Sequence, residues 1–144
     1  MHRDIKTDNI LLHDGEVRVA DFGLAKLVDI LDKYVKSDHT KSVGTPLYMS
    51  PQVLNGEEYS CKCDVWSTGF MLYELLTTKC PWQGVSPKKL YENIIQKPLT
   101  LPSKIDVDTE NLLRKMLAIK EEDRLSWPEV YSHPALDFID LDED

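Results

Sequence analysis

The segment at residues 64–76 most constrains how this chain can fold, because it is apolar on nearly every side when drawn as a helix. A helix of that kind is stable only when other elements surround it. The chain has 144 residues, 42% of them apolar and 29% charged, and this length supports one domain with its own core. We therefore predict a single domain built around a buried central helix.

Local signals after this segment predict further helices. Ser86-Pro87 is typical of a helix start, because serine caps free amides and proline is tolerated in the first turn. Apolar residues recur at helical spacing over residues 112–117. Ser126 and Glu129 have the spacing of a capping box, which satisfies amides at a helix start. The chain after residue 64 is therefore predicted to be helical.

The start of the chain predicts a β-hairpin instead. Two short apolar runs, at residues 10–12 and 17–20, flank Asp14-Gly15, and this dipeptide between β-prone runs is a hairpin signal. Residues 21–52 show weak periodicity, which predicts a long loop, and long loops in compact domains usually carry function. No alternation of strands and helices occurs, which disfavours a dinucleotide-binding fold. The predicted fold class is α+β and mainly α-helical.

The charge and the cysteine content limit the classes of binding partner and the cellular compartments that we expect. There are 17 Lys+Arg and 25 Asp+Glu, a net charge of −8, which argues against a surface for nucleic acids or anionic membranes. No apolar run approaches the roughly 20 residues of a membrane span, and the charged first residues predict no secretory signal peptide. Cys61, Cys63 and Cys80 are then expected to be reduced thiols in a cytoplasmic protein, with the nucleus as the alternative. Half a zinc site at Cys61 and Cys63 is disfavoured, because no second Cys/His pair at metal spacing follows.

Two motifs near the start carry the chemistry. Residues 2–9 read His-Arg-Asp-Ile-Lys-Thr-Asp-Asn, and Asp21-Phe22-Gly23 begins twelve residues after Asn9. Alone, His2 or Asp21 would be interpreted as an ordinary surface or capping residue. Seven positions in a fixed order seldom coincide by chance, and together they match the protein kinase motifs H-R-D-x-x-x-x-N and D-F-G.

The residue types in these motifs suit phosphoryl transfer, which depends on positioning and charge neutralisation. Asn9 and Asp21 offer oxygen ligands, which Mg²⁺ prefers, and are predicted to bind the metal. Asp4, on the same loop as Asn9, is placed to orient an incoming hydroxyl and accept its proton. Lys6 supplies a point charge for the transferred phosphoryl group, and Gly23 gives the backbone the freedom of a switchable turn. The predicted catalytic residues are Asp4, Lys6 and Asn9.

Over essentially its whole length, the chain resembles the C-terminal lobe of a eukaryotic serine/threonine protein kinase. Later landmarks come in the order of that family: Gly-Thr-Pro-Leu-Tyr-Met-Ser-Pro at residues 44–51, Asp-Val-Trp-Ser-Thr-Gly at 64–69, Asp-Arg at 123–124 and His-Pro at 133–134. The residues in and around the first two landmarks are similar to those of the autophagy-initiating kinase group. The resemblance implies a partial kinase domain at residues 1–136, followed by an acidic tail at 137–144.

The resemblance also implies the reaction and its cofactors. The γ-phosphate of ATP would be transferred to serine or threonine hydroxyls of protein substrates, with Mg²⁺ bound beside the nucleotide. Leu11 matches the floor of the adenine pocket, whereas Asp8 in some relatives contacts basic substrate residues. The cofactor-binding residues that the resemblance implies are Lys6, Asp8, Asn9, Leu11 and Asp21.

Further positions are implied to be structural or regulatory. Asp64 matches a buried acid that holds the backbone of the catalytic loop, and a helix N-cap at the same residue is compatible with that role. Thr45 matches a regulatory residue that contacts Asp4 and Lys6.

The activation loop of the family corresponds here to residues 21–51. In the family, the arginine before the catalytic aspartate, here Arg3, pairs with a phosphate on this loop. Thr40 and Ser42 are candidate sites for an upstream activating kinase, because Arg3 could clamp the added charge; ordinary loop hydroxyls are an equal alternative. Phe22 and Gly23 are the other regulatory residues that the resemblance implies.

The sequence departs from the family at two points. Gln52 stands where the family has a glutamate that pairs with an arginine, here Arg124. Because glutamine carries no charge, we expect the interaction between residues 52 and 124 to be weaker than the ion pair of the family. The chain also begins at Met1, immediately before the catalytic loop, so the N-terminal lobe with its glycine-rich loop is expected to be absent. We expect residues 1–144 alone to be inactive. The alternatives are a non-catalytic kinase remnant that binds a partner, or a small-molecule phosphotransferase.

Overall fold

The computed structural model describes residues 1–27 and 45–137. A two-stranded sheet precedes a helical body, which confirms the predicted hairpin and the mainly helical character. The predicted sites Thr40 and Ser42 and nearly all of the acidic tail lie outside the described residues. The strands are β1 (Ile10–His13) and β2 (Glu16–Val19), and the helices are α1 (Pro51–Leu54), α2 (Lys62–Thr77), α3 (Pro87–Gln96), α4 (Val107–Met116) and α5 (Trp127–Tyr131). Short 3-10 turns cover Thr7–Asn9, Pro46–Tyr48, Glu121–Asp123 and Pro134–Leu136.

The β-hairpin forms where the sequence predicts it. Its strands pair antiparallel, with His13 opposite Glu16 next to the turn. Asp14 and Gly15 connect the strands with φ angles of 50° and 79°. A tight hairpin turn requires this left-handed conformation, which glycine adopts freely and aspartate tolerates. The hairpin brings the residues before β1 next to the residues after β2.

Helix α2 lies at the centre of the fold, which confirms the prediction from its apolar sequence. Val65, Trp66 and Phe70 are fully buried. Helix α4 packs along α2, and Gly69 permits the close approach, because a Cβ atom there would lie 2.8 Å from the Cβ of Met116. Contacts of this density are typical of a protein interior. Helix α2 is therefore the support for the surrounding elements.

The starts of α3 and α5 follow local capping signals. At the start of α5, Glu129 Oε2 accepts a hydrogen bond from the Ser126 amide at 2.7 Å, as the capping-box spacing predicts. At the start of α3, the Ser86 side chain accepts one from the Lys89 amide at 3.2 Å.

In the part of the chain that the structure describes, no helix is both long enough and apolar enough to cross a bilayer.

The loop predicted over residues 21–52 is wrong at its C-terminal end. Pro46–Tyr48 form a 3-10 turn, and α1 begins at Pro51. Elements of three or four residues are too short for hydrophobic periodicity to signal. Their conformation depends instead on packing against α2 and α3.

Candidate functional site

The carboxylate of Asp4 lies at the centre of a buried polar cluster. Its Oδ1 accepts hydrogen bonds from the amide and the hydroxyl of Thr45, at 3.1 and 3.2 Å. Its Oδ2 accepts one from Asn9 Nδ2 at 3.2 Å and lies 3.5 Å from Lys6 Nζ. Both oxygens are thus held, by groups from two distant parts of the chain. We refer to Asp4, Lys6, Asn9 and Thr45 as the Asp4 cluster.

Lys6 joins this cluster while remaining open to solvent. Its Nζ donates a hydrogen bond to Thr45 Oγ1 at 2.7 Å. The Lys6 side chain is 21% exposed, whereas that of Asp4 is 8% exposed. An ammonium in this position is a compact point charge that can also face an anionic ligand.

Asn9 and Asp21 lie on neighbouring segments because of the hairpin. The Ala20 amide donates to the Asn9 carbonyl at 2.8 Å, which continues the strand pairing up to the residue before Asp21. The Asn9 side chain uses its nitrogen to donate to the Asp4 carbonyl at 2.8 Å, which leaves its oxygen for another ligand. Asp21 is exposed, and its Oδ1 accepts from the Gly23 amide at 3.1 Å.

The donor types of Asn9 and Asp21 fit Mg²⁺. This ion usually keeps several waters and binds only one or two protein carboxylates beside phosphate oxygens. Across residues 1–27 and 45–137, no group of three or more His, Cys, Asp or Glu side chains could hold a metal ion. The oxygen donors of Asn9 and Asp21 are of the kind that suits a metal shared with a phosphate ligand.

A buried carboxylate on α2 anchors the loop that carries Asp4. Asp64 Oδ2 accepts a hydrogen bond from the His2 amide at 2.7 Å, and its Oδ1 accepts one from the Arg3 amide at 2.9 Å. Arg3 has a φ of 69°, a left-handed conformation that costs a non-glycine residue about 1–2 kcal/mol. Helix α2 begins at Lys62, so the N-cap interpretation of Asp64 is wrong; its oxygens bind the loop instead.

His2 connects the same loop to the end of the hairpin. Its Nδ1 accepts from the Asp4 amide at 3.2 Å, so its Nε2 carries the proton and donates to the Ala20 carbonyl at 3.0 Å. The ring of Phe22 packs edge-on against it, with the centroids 4.9 Å apart. His2 was not among the predicted site residues, although its place in the first motif is the signal for it.

Several predicted site residues have no hydrogen bond to the Asp4 cluster among the described residues. Arg3 Nε donates to the Leu24 carbonyl at 2.6 Å. Leu11 is 52% exposed and Phe22 64% exposed, and Asp8 is also exposed. Their side chains are accessible to a ligand or to another part of a protein, and their roles stay predictions.

Gln52 and Arg124 are in direct contact. Arg124 Nη2 donates to Gln52 Oε1 at 2.8 Å, while Nε and Nη1 donate to the carbonyls of Ala118 and Lys62. The guanidinium carbon lies 5.1 Å from the ring centroid of Trp66. Among the described residues, no carboxylate lies within 4.0 Å of Arg124. Because the charge is buried, the pKa of Arg124 is lowered to about 10.

Replacing Gln52 with glutamate is expected to stabilise the fold by no more than about 1 kcal/mol at pH 7. A carboxylate would then face the buried charge of Arg124, but the hydrogen bond that Gln52 Nε2 donates to the Ile119 carbonyl at 2.7 Å would be lost. Arg124 should lower the pKa of the new carboxyl. The gain should therefore be present above about pH 4.3, the pKa of an unfolded glutamate, and disappear as the pH falls below it. Urea unfolding at neutral and acid pH measures it. Gln52→Met is the uncharged control and should lose stability. A glutamate variant no more stable than wild type at pH 7 would contradict the prediction.

Tyr48 is a buried phenol that the sequence did not identify as a site residue. Its hydroxyl donates a hydrogen bond to Glu74 Oε2 at 2.5 Å and lies 3.1 Å from Thr7 Oγ1. Burial and the Glu74 carboxylate raise the pKa of Tyr48 to about 12. Glu74 and Thr7 are 26 and 41 positions away from it in the chain, so no local signal pairs them. The network ties the segment after Thr45 to α2.

Replacing Tyr48 with phenylalanine is expected to lower the free energy of unfolding by about 1–2 kcal/mol, because Glu74 and Thr7 lose their shared partner. Wild type should also lose stability as the pH rises from 10 to about 12, since the unfolded tyrosine ionises first. That alkaline loss should be smaller in Tyr48→Phe, as measured by thermal unfolding at several pH values. Tyr131→Phe, at a tyrosine that is 71% exposed, is the matched control and should change neither quantity. Equal alkaline profiles for wild type and Tyr48→Phe would argue against the network.

The chain is similar to protein kinases along nearly its whole length. The family model of the protein kinase domain matches residues 1–136. Serine/threonine-protein kinase atg1 of Dictyostelium discoideum is 36% identical over 146 residues, which cover 99% of this chain and 21% of that protein. Serine/threonine-protein kinase gad8 of Schizosaccharomyces pombe is 37% identical over 145 residues, covering 97% and 25%. Serine/threonine-protein kinase 36 of Mus musculus is 36% identical over 135 residues, covering 93% and 10%. The chain thus spans a tenth to a quarter of the length of these relatives.

Proposed function

Because the chain belongs to the protein kinase family, we propose that it transfers the γ-phosphate of ATP to serine and threonine hydroxyls of protein substrates, as part of a complete catalytic domain. Residues 1–136 would form the C-terminal lobe of that domain. The observation that carries the proposal is the Asp4 cluster, in which both carboxylate oxygens of Asp4 are held in place.

Asp4 would orient the substrate hydroxyl and accept its proton. A carboxylate fixed on both oxygens cannot rotate freely, so its remaining lone pairs point in fixed directions. An ordinary carboxylate is a weak base, so its main contribution would be orientation, with proton transfer late in the reaction.

Lys6 and Thr45 would complete the site for the transferred group. The ammonium of Lys6 lies 2.7 Å from Thr45 Oγ1, so the segment at Thr45 positions the charge that faces the phosphoryl oxygens. Ordering of that segment would thereby order Asp4 and Lys6 together. Asn9 and Asp21 would hold Mg²⁺, which supplies positive charge beside the phosphate oxygens.

The test compares two forms of the protein in the presence of labelled ATP, Mg²⁺ and casein. Residues 1–144 contain no glycine-rich phosphate loop and no V-A-I-K strand, so we expect negligible transfer by these residues alone. The longest product of the native gene is expected to form phosphoserine or phosphothreonine. Transfer by residues 1–144 would contradict the first expectation. Absence of transfer by both forms, against a panel of protein substrates, would refute the proposed function.

A non-catalytic binding module is the second candidate function. The hairpin exposes Leu11, Leu12, Val17 and Val19, which are between 41% and 76% exposed. Exposed apolar patches mark interaction surfaces. If the native product is inactive, a stoichiometric partner that copurifies with it and is released by Leu12→Ser would favour this candidate.

A further inference from the structure

A groove of about 440 Å³ lies between α1, α3 and the 3-10 turn at Glu121–Asp123, and no residue of the Asp4 cluster lines it. Three of the residues that line it are apolar or aromatic. Tyr91 and Ile95 come from α3, and Ile119 comes from the segment before the turn. Ile95 is 46% exposed and Ile119 36% exposed. Burial of these side chains by a ligand would be favourable.

Four glutamates line the same groove. Glu57 and Glu58 follow α1, while Glu121 and Glu122 belong to the 3-10 turn. Within residues 1–27 and 45–137, no lysine, arginine or histidine nitrogen lies within 4.0 Å of these four carboxylates. Glu92 on α3 and Glu110 on α4 do pair with a neighbouring lysine or arginine. The four carboxylates of the groove therefore give it an acidic lining without counter-ions among the described residues.

The two lysines that line the groove do not neutralise it. Lys62 Nζ donates to the carbonyls of Glu121 and Arg124, at 3.2 and 2.6 Å, so its ammonium is already bound to the backbone. Lys120 is the other lysine of the lining. Four carboxylates and two ammonium groups leave the lining with a net charge of −2.

One oxygen of Glu121 has no hydrogen-bond partner among the described residues. Its Oε1 accepts hydrogen bonds from the amide of Ser60, at 3.0 Å, and from the Ser60 hydroxyl. Its Oε2 is buried and has no hydrogen-bond partner among the described groups. A buried carboxylate oxygen without a donor is unfavourable. Because that oxygen is closed to solvent, a cation in the groove would act on Glu121 through its charge and not through a hydrogen bond to Oε2.

We propose that the groove binds a basic segment of a protein partner, with a lysine or arginine at Glu121 and an aliphatic side chain on Ile95 and Ile119. The charge of the lining selects basic residues, and the exposed side chains of Ile95 and Ile119 select a peptide over a small cation. The proposal concerns recognition and does not depend on phosphoryl transfer, because its residues are separate from the Asp4 cluster.

The test measures binding by fluorescence anisotropy in the absence of nucleotide. It uses the full chain and a labelled peptide, Gly-Lys-Arg-Ile-Leu-Arg-Lys-Gly, which has no hydroxyl to phosphorylate. The basic peptide is expected to bind, and its affinity should fall on the order of tenfold between low and high salt. A peptide with glutamate at each basic position should not bind. Equal binding of the two peptides, or none of the basic one, would overturn the proposal.

Variants locate the binding site. Glu121→Gln and Ile95→Ser are each expected to weaken binding on the order of tenfold. Asp108→Asn, at an exposed acid of α4 outside the groove, is the matched control and should leave binding unchanged.

Folding is checked by thermal unfolding for every variant. If Glu121→Gln fails to fold, the double variant Glu58→Gln/Glu122→Gln takes its place, because both side chains are exposed. Unchanged binding in the glutamate and isoleucine variants would overturn the proposal. Dimerisation of the chain in sedimentation velocity, abolished by Ile95→Ser, would assign the groove to a second copy and also overturn it.

Discussion

Asparagine in place of Asp4 is expected to reduce the proposed phosphoryl transfer by the native protein about 10²–10⁴-fold while the fold stays intact. Asparagine has the same shape and keeps an acceptor for Thr45. It cannot take the proton of the substrate hydroxyl, and its amide nitrogen would face the donors of Asn9 and Lys6, which now bind Oδ2. The steady-state rate with saturating ATP and Mg²⁺ measures the effect.

The matched control for this prediction is Asp14→Asn. Asp14 makes the hairpin turn with a φ of 50°, which asparagine also tolerates, and its side chain is 88% exposed. The same chemical change there should leave the rate unchanged. Both variants should unfold within a few degrees of wild type. An Asp4→Asn enzyme that retained more than about a third of the wild-type rate would rule out the proposed role of Asp4.

Alanine in place of Asp64 is expected to lower the free energy of unfolding by about 3–5 kcal/mol. The buried amides of His2 and Arg3 would lose a charged acceptor, and Arg3 would keep its unfavourable φ of 69° without compensation. A loss of this size is a large share of the about 5–15 kcal/mol that stabilises a typical domain. Urea unfolding measures the loss. The rate of amide hydrogen exchange at residues 2 and 3 should also increase more than the rates elsewhere in the chain.

The control for Asp64 is an acid in an equivalent place on another helix. Asp108 lies in the first turn of α4, as Asp64 does in α2, but it is exposed. Asp108→Ala should cost no more than about 0.5 kcal/mol. Asp64→Asn keeps one acceptor oxygen and should give an intermediate loss. Similar losses for Asp64→Ala and Asp108→Ala would show that Asp64 does not anchor the loop.

The elements that the sequence predicted are those whose signal is local. The hairpin depends on Asp14-Gly15 and the short apolar runs beside it, and the start of α5 depends on Ser126 and Glu129, three positions apart. Helix α2 was predicted from its own apolar surface, because such a segment has to be buried wherever it lies. The short elements at residues 46–54 were missed, since they contain too few residues to show a period.

The same difference between local and long-range signals applies to the candidate site. Asp4, Lys6 and Asn9 lie within six positions of one another, so a single motif identified them. The motif does not contain the contacts that hold them. Thr45 is 41 positions from Asp4, and Tyr48 is 26 from Glu74, and these pairs meet only through the packing of the chain on α2.

The sequence by itself determined the family, the hairpin, the central helix and the chemical groups of the site, because each follows from residue type and short-range spacing. Only the tertiary structure decided which atoms those groups bind: Asp64 binds the amides of residues 2 and 3, Arg124 binds Gln52 and backbone carbonyls, and Glu121 binds the amide and hydroxyl of Ser60. The reason is physical. Burial and hydrogen bonding between distant residues depend on where the whole chain places them, and no local pattern of side chains carries that information.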